Sequence, residues 1–436
     1  MQRSKLMMAL ALGAGLLMGS KGRAETGPSA ATSSPAQEAW LRYRDELRRE
    51  HEALLSLEEA KDPQLRAQGL YYLQTLEATA HNMYIAPRTQ YPAFYREAIF
   101  MPMAEVNWGD PNPDFHYHWA WIDGAHSYRV FGNKRGSDWA TMQVYKGFWG
   151  DEVQGNLATV DFDDIPADAD GNFEIFLGPN PPAESDGRYW VKLDPNLHNI
   201  ALNIREVFND WEKDVPIDVR IEILDRTPNA PIHFDEAELA ARIDRARKFL
   251  SFNYDFTIAR FKDSPKNGDA ASPIARNRFK ASENAVQQGG NPLACYSGSV
   301  YDIAPDEALI IEVEPAKARY WGIQLESIWR QTIDYSYHNS SINGRQARLD
   351  RDGKFRAVLA LSDPGVPNWL DPAGLPVGGV ILRWFLSDGC PVPATHKVKL
   401  ADLRRHLPAD TPSVSAEERR LLLQRRTEAA RRRWRQ

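Results

Sequence analysis

Hydrophobic and polar positions alternate along much of the chain, and this two-residue period predicts β-strands. It is present in FHYHWAWID (115–123), HSYRVFG (126–132) and DWATMQVYKG (138–147), with turn-forming residues at the breaks between them. The pattern continues to Leu224 and returns from Leu293 to Arg383. We therefore expect two β-rich domains, each built as a sandwich or a jelly roll.

Three other stretches carry the spacing of an amphipathic helix. Two of them, Trp40–Leu57 and Pro63–Tyr84, form a pair in which Asp62 is the expected N-cap of the second. The third begins at Asp235 and extends to about Phe261. A fourth helix is predicted near the C-terminus, where Ser415 and Glu418 have the spacing of a capping box. The predicted fold class is mainly β with α additions: two β-sandwich or jelly-roll-like domains, an N-terminal helical pair, a long linking helix and a C-terminal helix.

The first residues have the organisation of a secretory signal peptide. Arg3 and Lys5 precede an apolar run from Leu6 to Met18, and cleavage is expected after Ala24. This run is shorter than the roughly 20 residues that span a bilayer as a helix. We therefore expect a periplasmic or secreted protein. The predicted segments are a signal peptide at 1–24, a flexible spacer at 25–36, a helical segment at 37–110, a first β-rich domain at 111–234, a helix and connection at 235–290, a second β-rich domain at 291–412 and an Arg-rich helix at 413–436.

The formal charge of -6 over 436 residues does not indicate a nucleic-acid partner. The sign is reversed locally in the last helix, which contains arginines at positions 419, 420, 425, 426, 431, 432, 433 and 435. Because Leu421, Leu422 and Leu423 lie among them, we expect this helix to pack on its own domain and to leave a solvated arginine face. Membrane contact through the helix is not the expected use.

Only two cysteines occur, Cys295 and Cys390. An exported protein can join them, because an oxidising compartment permits disulfides. The sequence does not place their Cα atoms within bonding range, so a disulfide and two buried thiols both remain open.

Asp114, His116 and His118 alternate along a predicted strand, so their side chains should share one face. Two imidazoles and a carboxylate are suitable ligands for zinc, iron or copper, and a cupin-type site begins with such a motif. A cupin site needs a further Glu and His, and none has matching spacing. The histidines are therefore interpreted as ordinary strand residues, and we expect no metal and no other cofactor.

The stretch from Tyr320 to Arg383 contains the residues best suited to line a pocket. Asp363 and Asp371 bracket PGVPNWL and are the candidate catalytic carboxylates, although each also precedes a proline and suits a turn. Trp369 lies among turn residues and is the aromatic residue least easily explained as core. On this interpretation Trp369→Ala abolishes ligand binding or turnover without lowering the melting temperature much. The candidate ligand-binding residues are Tyr337, Asn368, Trp369 and Arg383.

Several motifs together resemble a bacterial family called domain of unknown function 1214, which is often joined to a domain numbered 1254. The resemblance covers about 110–436 and is carried by SYRVFGNKRG, REVFNDWEKDVPIDVRIE, RYWGIQL, GVILRW and, most specifically, SINGRQARLD with DPGVPNWLD. It implies a β-sandwich-like, jelly-roll architecture with helical additions, and the family name implies no activity. Within SINGRQARLD, Asn343-Gly344 predicts a type I′ hairpin turn between two strands.

The first functional hypothesis is an exported protein that binds or transforms a small molecule, a carbohydrate or a hydrophobic metabolite, in a pocket between the β-domains. The alternative is a non-catalytic envelope or assembly protein that uses its sandwich surfaces and its Arg-rich tail. No GxSxG elbow accompanies Ser340 and Ser341, which disfavours a serine hydrolase. Whether the protein is an enzyme, and its oligomeric state, remain open.

Overall fold

The computed structural model describes residues 33–87, 89–96, 109–182, 187–226, 235–263, 276–281 and 290–435. The predicted signal peptide, most of the spacer and most of the connection after Lys262 lie outside these residues. The described helices are α1 (Pro35–Leu55), α2 (Pro63–Ala80), α3 (Glu236–Asp263) and α4 (Ala416–Arg435), with short 3₁₀ or π turns at Glu59–Lys61, His81–Ile85, Phe162–Asp164 and Leu400–His406.

Both predicted helix caps are confirmed. The Asp62 side chain accepts hydrogen bonds from the amides of Gln64 and Leu65 at the start of α2. At the start of α4 the Glu418 amide donates to the Ser415 hydroxyl, and the Ser415 amide donates to the Glu418 carboxylate. These bonds satisfy backbone amides that have no partner inside the helix.

The strands fall into two groups along the chain, one before α3 and one after it. The first group is β1 (Tyr95–Arg96), β2 (Phe115–Ile122), β3 (Tyr128–Asn133), β4 (Trp139–Gly147), β5 (Gly155–Asp161), β6 (Asn172–Gly178), β7 (Tyr189–Lys192), β8 (Ile200–Val207) and β9 (Asp218–Ile223). The second group is β10 (Lys280–Ala281), β11 (Ala294–Asp302), β12 (Glu307–Val313), β13 (Ala318–Ser327), β14 (Ser341–Asn343), β15 (Phe355–Ala360), β16 (Trp369–Leu370), β17 (Val377–Ser387) and β18 (Ala394–Lys399).

Each group forms a sandwich of two sheets, and the two sandwiches have the same topology. The first contains sheets β1-β2-β8-β4-β5 and β7-β6-β3-β9, and the second contains β10-β11-β17-β13-β14 and β16-β15-β12-β18. Adding nine to every strand number of the first sandwich therefore generates the second. The parallel pair β6–β7 has its counterpart in the parallel pair β15–β16. The chain thus contains an internal structural repeat. The predicted fold class, mainly β with helical additions, is confirmed.

The two five-stranded sheets face each other, and we call them the first and second inner sheets. They meet through an apolar cluster of Phe115, Trp139, Val207, Tyr320 and Phe385. The opposite face of each inner sheet packs against the four-stranded sheet of its own sandwich. Because both faces of an inner sheet are covered, strands such as β2 are buried along almost their whole length.

Helices α1, α2 and α3 cover one end of the interface between the inner sheets. Their apolar faces pack with Trp119 and Trp121 of the first sandwich and with Val300 and Trp329 of the second. The Trp329 indole also donates a hydrogen bond of 3.1 Å to the carbonyl of Leu65 in α2. Within the described ranges, no helix has the length and apolar character needed to span a bilayer.

Helix α4 packs on the protein and keeps a solvated arginine face, as predicted, but its buried face also contains arginines. Arg419, Arg426 and Arg433, spaced seven residues apart, are buried, whereas Leu421 is exposed. Side chains seven apart lie on one helix face, so these three form a single stripe against the protein. The arginines at positions 420, 425, 431 and 432 remain exposed.

Backbone carbonyls and aromatic rings accommodate the buried arginines. Arg426 donates to the carbonyl of Tyr335 at 2.7 Å and Arg433 donates to the carbonyl of Pro113 at 2.9 Å. Their guanidinium carbons lie 4.4 and 4.0 Å from the centre of the Trp211 ring, within cation–π range. Burial lowers the pKa of Arg426 to about 10. The helix therefore holds residues from both sandwiches.

Cys295 and Cys390 form a disulfide, with Cα atoms 6.1 Å apart. The bond closes a loop with a sequence separation of 95, and constraining such a loop in the unfolded chain stabilises a protein by about 2–4 kcal/mol. We expect the double variant Cys295→Ala, Cys390→Ala to lose stability of this order in urea unfolding. Adding a reductant should destabilise the parent protein and leave the double variant unchanged. Equal stability of the two proteins under oxidising conditions would contradict this expectation.

Candidate functional site

Two polar rows cross the first inner sheet on the face that points to the second sandwich. The strand register aligns Tyr117, Arg205 and Thr141 in one row. It aligns Trp119, Asn203 and Gln143 in the next. Residues aligned in this way have neighbouring side chains on one face of a sheet. The row of Phe115, Val207 and Trp139 lies beyond them and belongs to the apolar cluster.

The second inner sheet presents an equivalent arrangement. Its register aligns Tyr296, Arg383 and Gly322, followed by Gly298, Ile381 and Gln324. Each sandwich therefore contributes a tyrosine and an arginine from the same two positions of the repeat. The Arg205 guanidinium carbon lies 5.8 Å from the centre of the Tyr117 ring, and that of Arg383 lies 5.9 Å from Tyr296. We call the region enclosed by these four rows the inter-sandwich cleft.

The two arginines differ in how many of their donors are used. Arg383 donates to the amide oxygen of Gln324 and, at 2.5 Å, to the carbonyl of Asp110. Arg205 donates to the hydroxyl of Tyr145 at 3.2 Å, and its Nη1 has no hydrogen-bond partner among the described residues. Arg383 is thus held by the protein, while Arg205 has donors available for another molecule.

Among the described residues, the groups that act most strongly on the charge of Arg205 are tyrosine phenols and not carboxylates. Burial by itself acts to lower its pKa, but the phenol groups of Tyr145, Tyr117 and Tyr296 outweigh burial and the pKa is raised. Tyr296 belongs to the opposite sandwich, so groups from both inner sheets act on the pKa of Arg205. An arginine side chain remains protonated at neutral pH.

Further hydrogen-bonding capacity beside Arg205 is unused. Asn203 is fully buried, and neither its amide nitrogen nor its amide oxygen has a partner among the described residues. The amide oxygen of Gln143 also has no hydrogen-bond partner among the described residues. Each buried polar atom left without a hydrogen bond costs about 1–3 kcal/mol. Such a cost is understandable where a ligand supplies the missing partners.

Gly298 leaves space on the second inner sheet. A Cβ atom built on it would have one near neighbour, the backbone oxygen of Val380 at 3.5 Å. Gly298 lies in the middle of β11, yet it is partly accessible, as are Tyr117, Arg205 and Ile381. The cleft therefore combines open space, a cation and unused amide groups between two rigid sheets.

The structure places the predicted pocket residues in several different environments. Arg383 lies in the cleft, as described. Asn368 uses its side chain to join backbone segments, because its Nδ2 donates to the carbonyls of Arg348 and Arg356. Tyr337 is exposed, and its hydroxyl accepts a hydrogen bond of 3.0 Å from Arg431. The predicted set does not form one pocket wall.

Trp369 is a core residue, which corrects its predicted position on a pocket rim. It forms strand β16 and packs with Val358, Val366 and other apolar side chains. Its indole nitrogen donates to the carbonyl of Ala360 at 2.9 Å. Because turn-forming residues surround Trp369, the sequence does not indicate that its side chain points into the core.

The candidate carboxylates have separate structural partners. Asp363 accepts a hydrogen bond from the amide of Gly365 and forms an ion pair of 2.9 Å with Arg419. Asp371 lies 2.8 Å from Nδ1 of His338, and this hydrogen bond raises the pKa of the imidazole. Asp371 also accepts from the amide of Ala373. The carboxylates thus anchor two different turns.

The predicted hairpin turn at Asn343-Gly344 was wrong. Strand β14, which ends at Asn343, pairs with β13 in the second inner sheet, whereas the following strand β15 belongs to the four-stranded sheet. The Asn343 side chain accepts hydrogen bonds from the amides of Arg345 and Gln346. These bonds stabilise the turn by which the chain passes from one sheet to the other.

Asp114 does not share a site with the two histidines, which corrects the predicted metal-ligand set. Its carboxylate accepts hydrogen bonds from Trp211, Tyr320 and Asn343 at 2.7, 2.6 and 2.9 Å. Asp114 precedes β2 and therefore does not follow the alternation of the strand. His116 and His118 instead lie beside Glu206 in the core of the first sandwich.

A groove of about 270 Å³ lies between the sandwiches and α4. Its walls include Asp210, Arg345, Asn368 and Arg426. Some charged groups there have partners: Arg345 and Asp210 form an ion pair of 2.9 Å, and Arg426 donates to the Ser341 hydroxyl.

Arg205, Asn203 and Gln143 were not predicted as site residues from the sequence. One signal was available, because NIREVF and ILRWF each place an arginine inside a strand. A charged residue in the middle of a doubly buried strand is uncommon and indicates either an internal partner or a ligand. Arg205 and Arg383 are recognised as equivalent only when the structural repeat is known. The residue identities do not reveal that repeat.

Comparisons with known proteins support the fold and leave the ligand unidentified. No protein-family model matches the chain, and no curated protein matches it. The chain is similar to the crystal structure of an uncharacterised protein from Burkholderia cenocepacia, with 28% identity, a TM-score of 0.74, and coverage of 84% of this chain and 97% of that one. A protein from Vibrio parahaemolyticus is more distant, with 13% identity and a TM-score of 0.41 over 76% of this chain and all of the other.

Proposed function

We propose that this protein binds a small organic anion, carrying a carboxylate group, in the inter-sandwich cleft. The observation that carries the proposal is the presence of two unsatisfied groups on one face of the first inner sheet: Nη1 of the partly accessible Arg205 and the side-chain amide of the buried Asn203. A guanidinium binds a carboxylate through two parallel hydrogen bonds, and an adjacent amide can donate to the same group. The cleft thus offers the chemistry that a carboxylate needs.

Aromatic side chains favour an organic ligand over a simple inorganic ion. Trp119 lies in the same row as Asn203, and Tyr117 and Tyr296 flank Arg205 from the two sandwiches. Large aromatic surfaces beside a few polar groups are typical of sites for small organic molecules. The apolar part of the ligand would lie against these rings.

An exported location remains part of the proposal, as does the resemblance to domain of unknown function 1214. The disulfide supports export, because such bonds persist mainly in oxidising compartments. The alternative role of the tail in assembly is less favoured, since Arg419, Arg426 and Arg433 are buried against the protein itself.

The test uses benzoate as a probe and benzamide as its uncharged counterpart. We expect benzoate to raise the melting temperature and benzamide to have little effect. Arg205→Met should weaken benzoate binding by about 10–100-fold, which corresponds to losing charge-assisted hydrogen bonds of about 1.5–3 kcal/mol. Binding is measured by isothermal titration calorimetry on the full chain.

Two further variants make the test specific to the cleft. Gly298→Leu should block binding by filling the space on the second inner sheet, without removing any charge. Arg220→Met is the matched control, because Arg220 is an exposed strand arginine paired with Asp218. Equal affinity of the parent, Arg205→Met and Gly298→Leu proteins would refute the cleft as the site. Native mass spectrometry of protein from its own host would then identify the class of any retained ligand.

A further inference from the structure

A second group of residues in the first sandwich has the composition of a metal site. His116, His118 and Glu206 are buried, and their potential ligand atoms all lie within 4.8 Å of one another. Glu206 Oε2 lies 3.3 Å from Nε2 of His118 and 3.9 Å from Nδ1 of His116. These atoms are close enough to surround one cation after small side-chain movements, since bonds from nitrogen and oxygen to such metals are about 2.0–2.2 Å long.

The sheet register explains how the three residues meet. Glu206 in β8 is directly opposite His116 in β2, and His118 lies two residues further along the same face. The other oxygen of Glu206 accepts a hydrogen bond of 2.7 Å from the amide of Ile217. This bond orients the carboxylate so that Oε2 faces the imidazoles, as the outer partners of metal ligands commonly do.

The second sandwich shows that the fold itself does not require these residues. His116 precedes Tyr117 in the first sandwich, and Cys295 precedes the equivalent residue, Tyr296, in the second. Glu206 follows Arg205 in the first sandwich, and Trp384 follows Arg383 in the second. The strand register pairs Glu206 with His116 and Trp384 with Cys295. At the equivalent positions the second sandwich has Cys295, Ser297 and Trp384, so the two imidazoles and the carboxylate occur in one copy of the repeat only.

A small residue beside Glu206 strengthens this contrast. In the first sandwich the neighbour of Glu206 on β4 is Ala140, whereas the equivalent neighbour of Trp384 on β13 is Trp321. The first sandwich thus has less side-chain volume at the position where it has three ligand groups. Burying two histidines and a carboxylate in a sandwich core is costly unless they are paired or bound to a metal.

We infer that His116, His118 and Glu206 bind a divalent first-row transition metal ion such as Zn²⁺ or Fe²⁺. Two imidazoles and one carboxylate are a recurrent ligand set for these metals. Arg205 and Glu206 are consecutive and point to opposite faces of β8, so the metal would stabilise the strands that also carry the cleft. The inference does not depend on the identity of the cleft ligand.

The test is metal binding by the full chain after treatment with a chelator. We expect calorimetry with Zn²⁺ alone to show binding at one ion per chain, and Co²⁺ to give the absorption spectrum of a histidine-ligated ion. Zn²⁺ should also raise the melting temperature, because an ion that binds the folded state stabilises it. Elemental analysis of protein that has not been treated with chelator provides a measurement independent of any variant.

Glu206→Gln and His118→Asn test the assignment of the ligands. Each should weaken Zn²⁺ binding by at least about 100-fold, since even the loss of an outer partner costs 10–100-fold. His198→Asn is the matched control, because His198 and Asp123 form an exposed pair 3.2 Å apart, and it should bind like the parent. Parent protein that binds neither Zn²⁺ nor Co²⁺ in one-to-one ratio would overturn the inference. Unchanged affinity in both folded variants would overturn it equally, and the cluster would then be a buried hydrogen-bonded network.

Discussion

Trp369→Ala is expected to lower the free energy of unfolding by about 3–5 kcal/mol, the usual cost of removing a buried tryptophan. The indole is 7% exposed and packs in the apolar cluster beneath β12 and β15. Its loss would leave a cavity and would also remove the hydrogen bond to the carbonyl of Ala360. Urea unfolding followed by circular dichroism measures the change.

Tyr337→Ala is the matched control for this experiment, because Tyr337 was predicted for the same pocket rim but is 48% exposed. It should change stability by less than about 1 kcal/mol. Benzoate binding by a folded Trp369→Ala protein should be retained, since the tryptophan lies outside the cleft. A Trp369→Ala protein with unchanged stability and lost ligand binding would restore the original interpretation of Trp369 as a ligand contact.

Glu50 is expected to make the stability of this protein fall steeply as the pH rises. The carboxyl group in α1 is 1% exposed, and neither of its oxygens has a hydrogen-bond partner among the described residues. Burial is the main cause that raises the pKa of Glu50 from 4.5 to about 8, and the charge of Glu46 adds to it. The folded protein therefore keeps this proton over a range in which the unfolded chain has lost it.

The sign of the effect follows from the numbers of bound protons. Between pH 4.5 and about 8 the folded state binds more protons at Glu50 than the unfolded state, so stability decreases with rising pH. The limit set by a shift of this size is about 5 kcal/mol, at about 1.4 kcal/mol per pH unit. Opening of the end of α1 would reduce the observed value.

Glu50→Gln removes the titrating group while keeping its shape. The variant should match the parent within about 1 kcal/mol at pH 5 and exceed its stability by several kcal/mol at pH 9. Glu52→Gln is a suitable control, because Glu52 is an exposed residue of the same helix and pairs with Arg48. Parallel stability–pH curves for the parent and Glu50→Gln proteins would rule out a buried ionisable carboxyl.

The β-rich fold was predictable from the sequence because turn residues interrupt the apolar runs at regular intervals. The helix caps at Asp62 and Ser415 were predictable for a similar reason, since capping depends on residues close in the chain. The internal repeat was not predictable in this way. It is a property of strand order and register, and equivalent positions hold residues as different as Glu206 and Trp384.

The candidate site was predictable only in part. Arg383 was identified because it lies beside an aromatic, turn-rich stretch, whereas REVFNDW, which begins with its partner Arg205, was used only for the family resemblance. Asn368, Trp369 and Asp371 were misleading because polar and aromatic residues next to prolines suit both a pocket rim and a structural turn. The third member of the histidine cluster, Glu206, is distant in sequence and becomes adjacent through the pairing of β2 with β8.

Helix α4 has a consequence for the order in which the molecule assembles. Arg432 and Arg433 donate to the carbonyls of Trp211 and Pro113, beside the first sandwich, whereas Arg419 pairs with Asp363 of the second. The complete docking surface of the helix exists only after both sandwiches have formed and come together. Docking of α4 is therefore expected to be a late event in folding that follows the meeting of the two inner sheets.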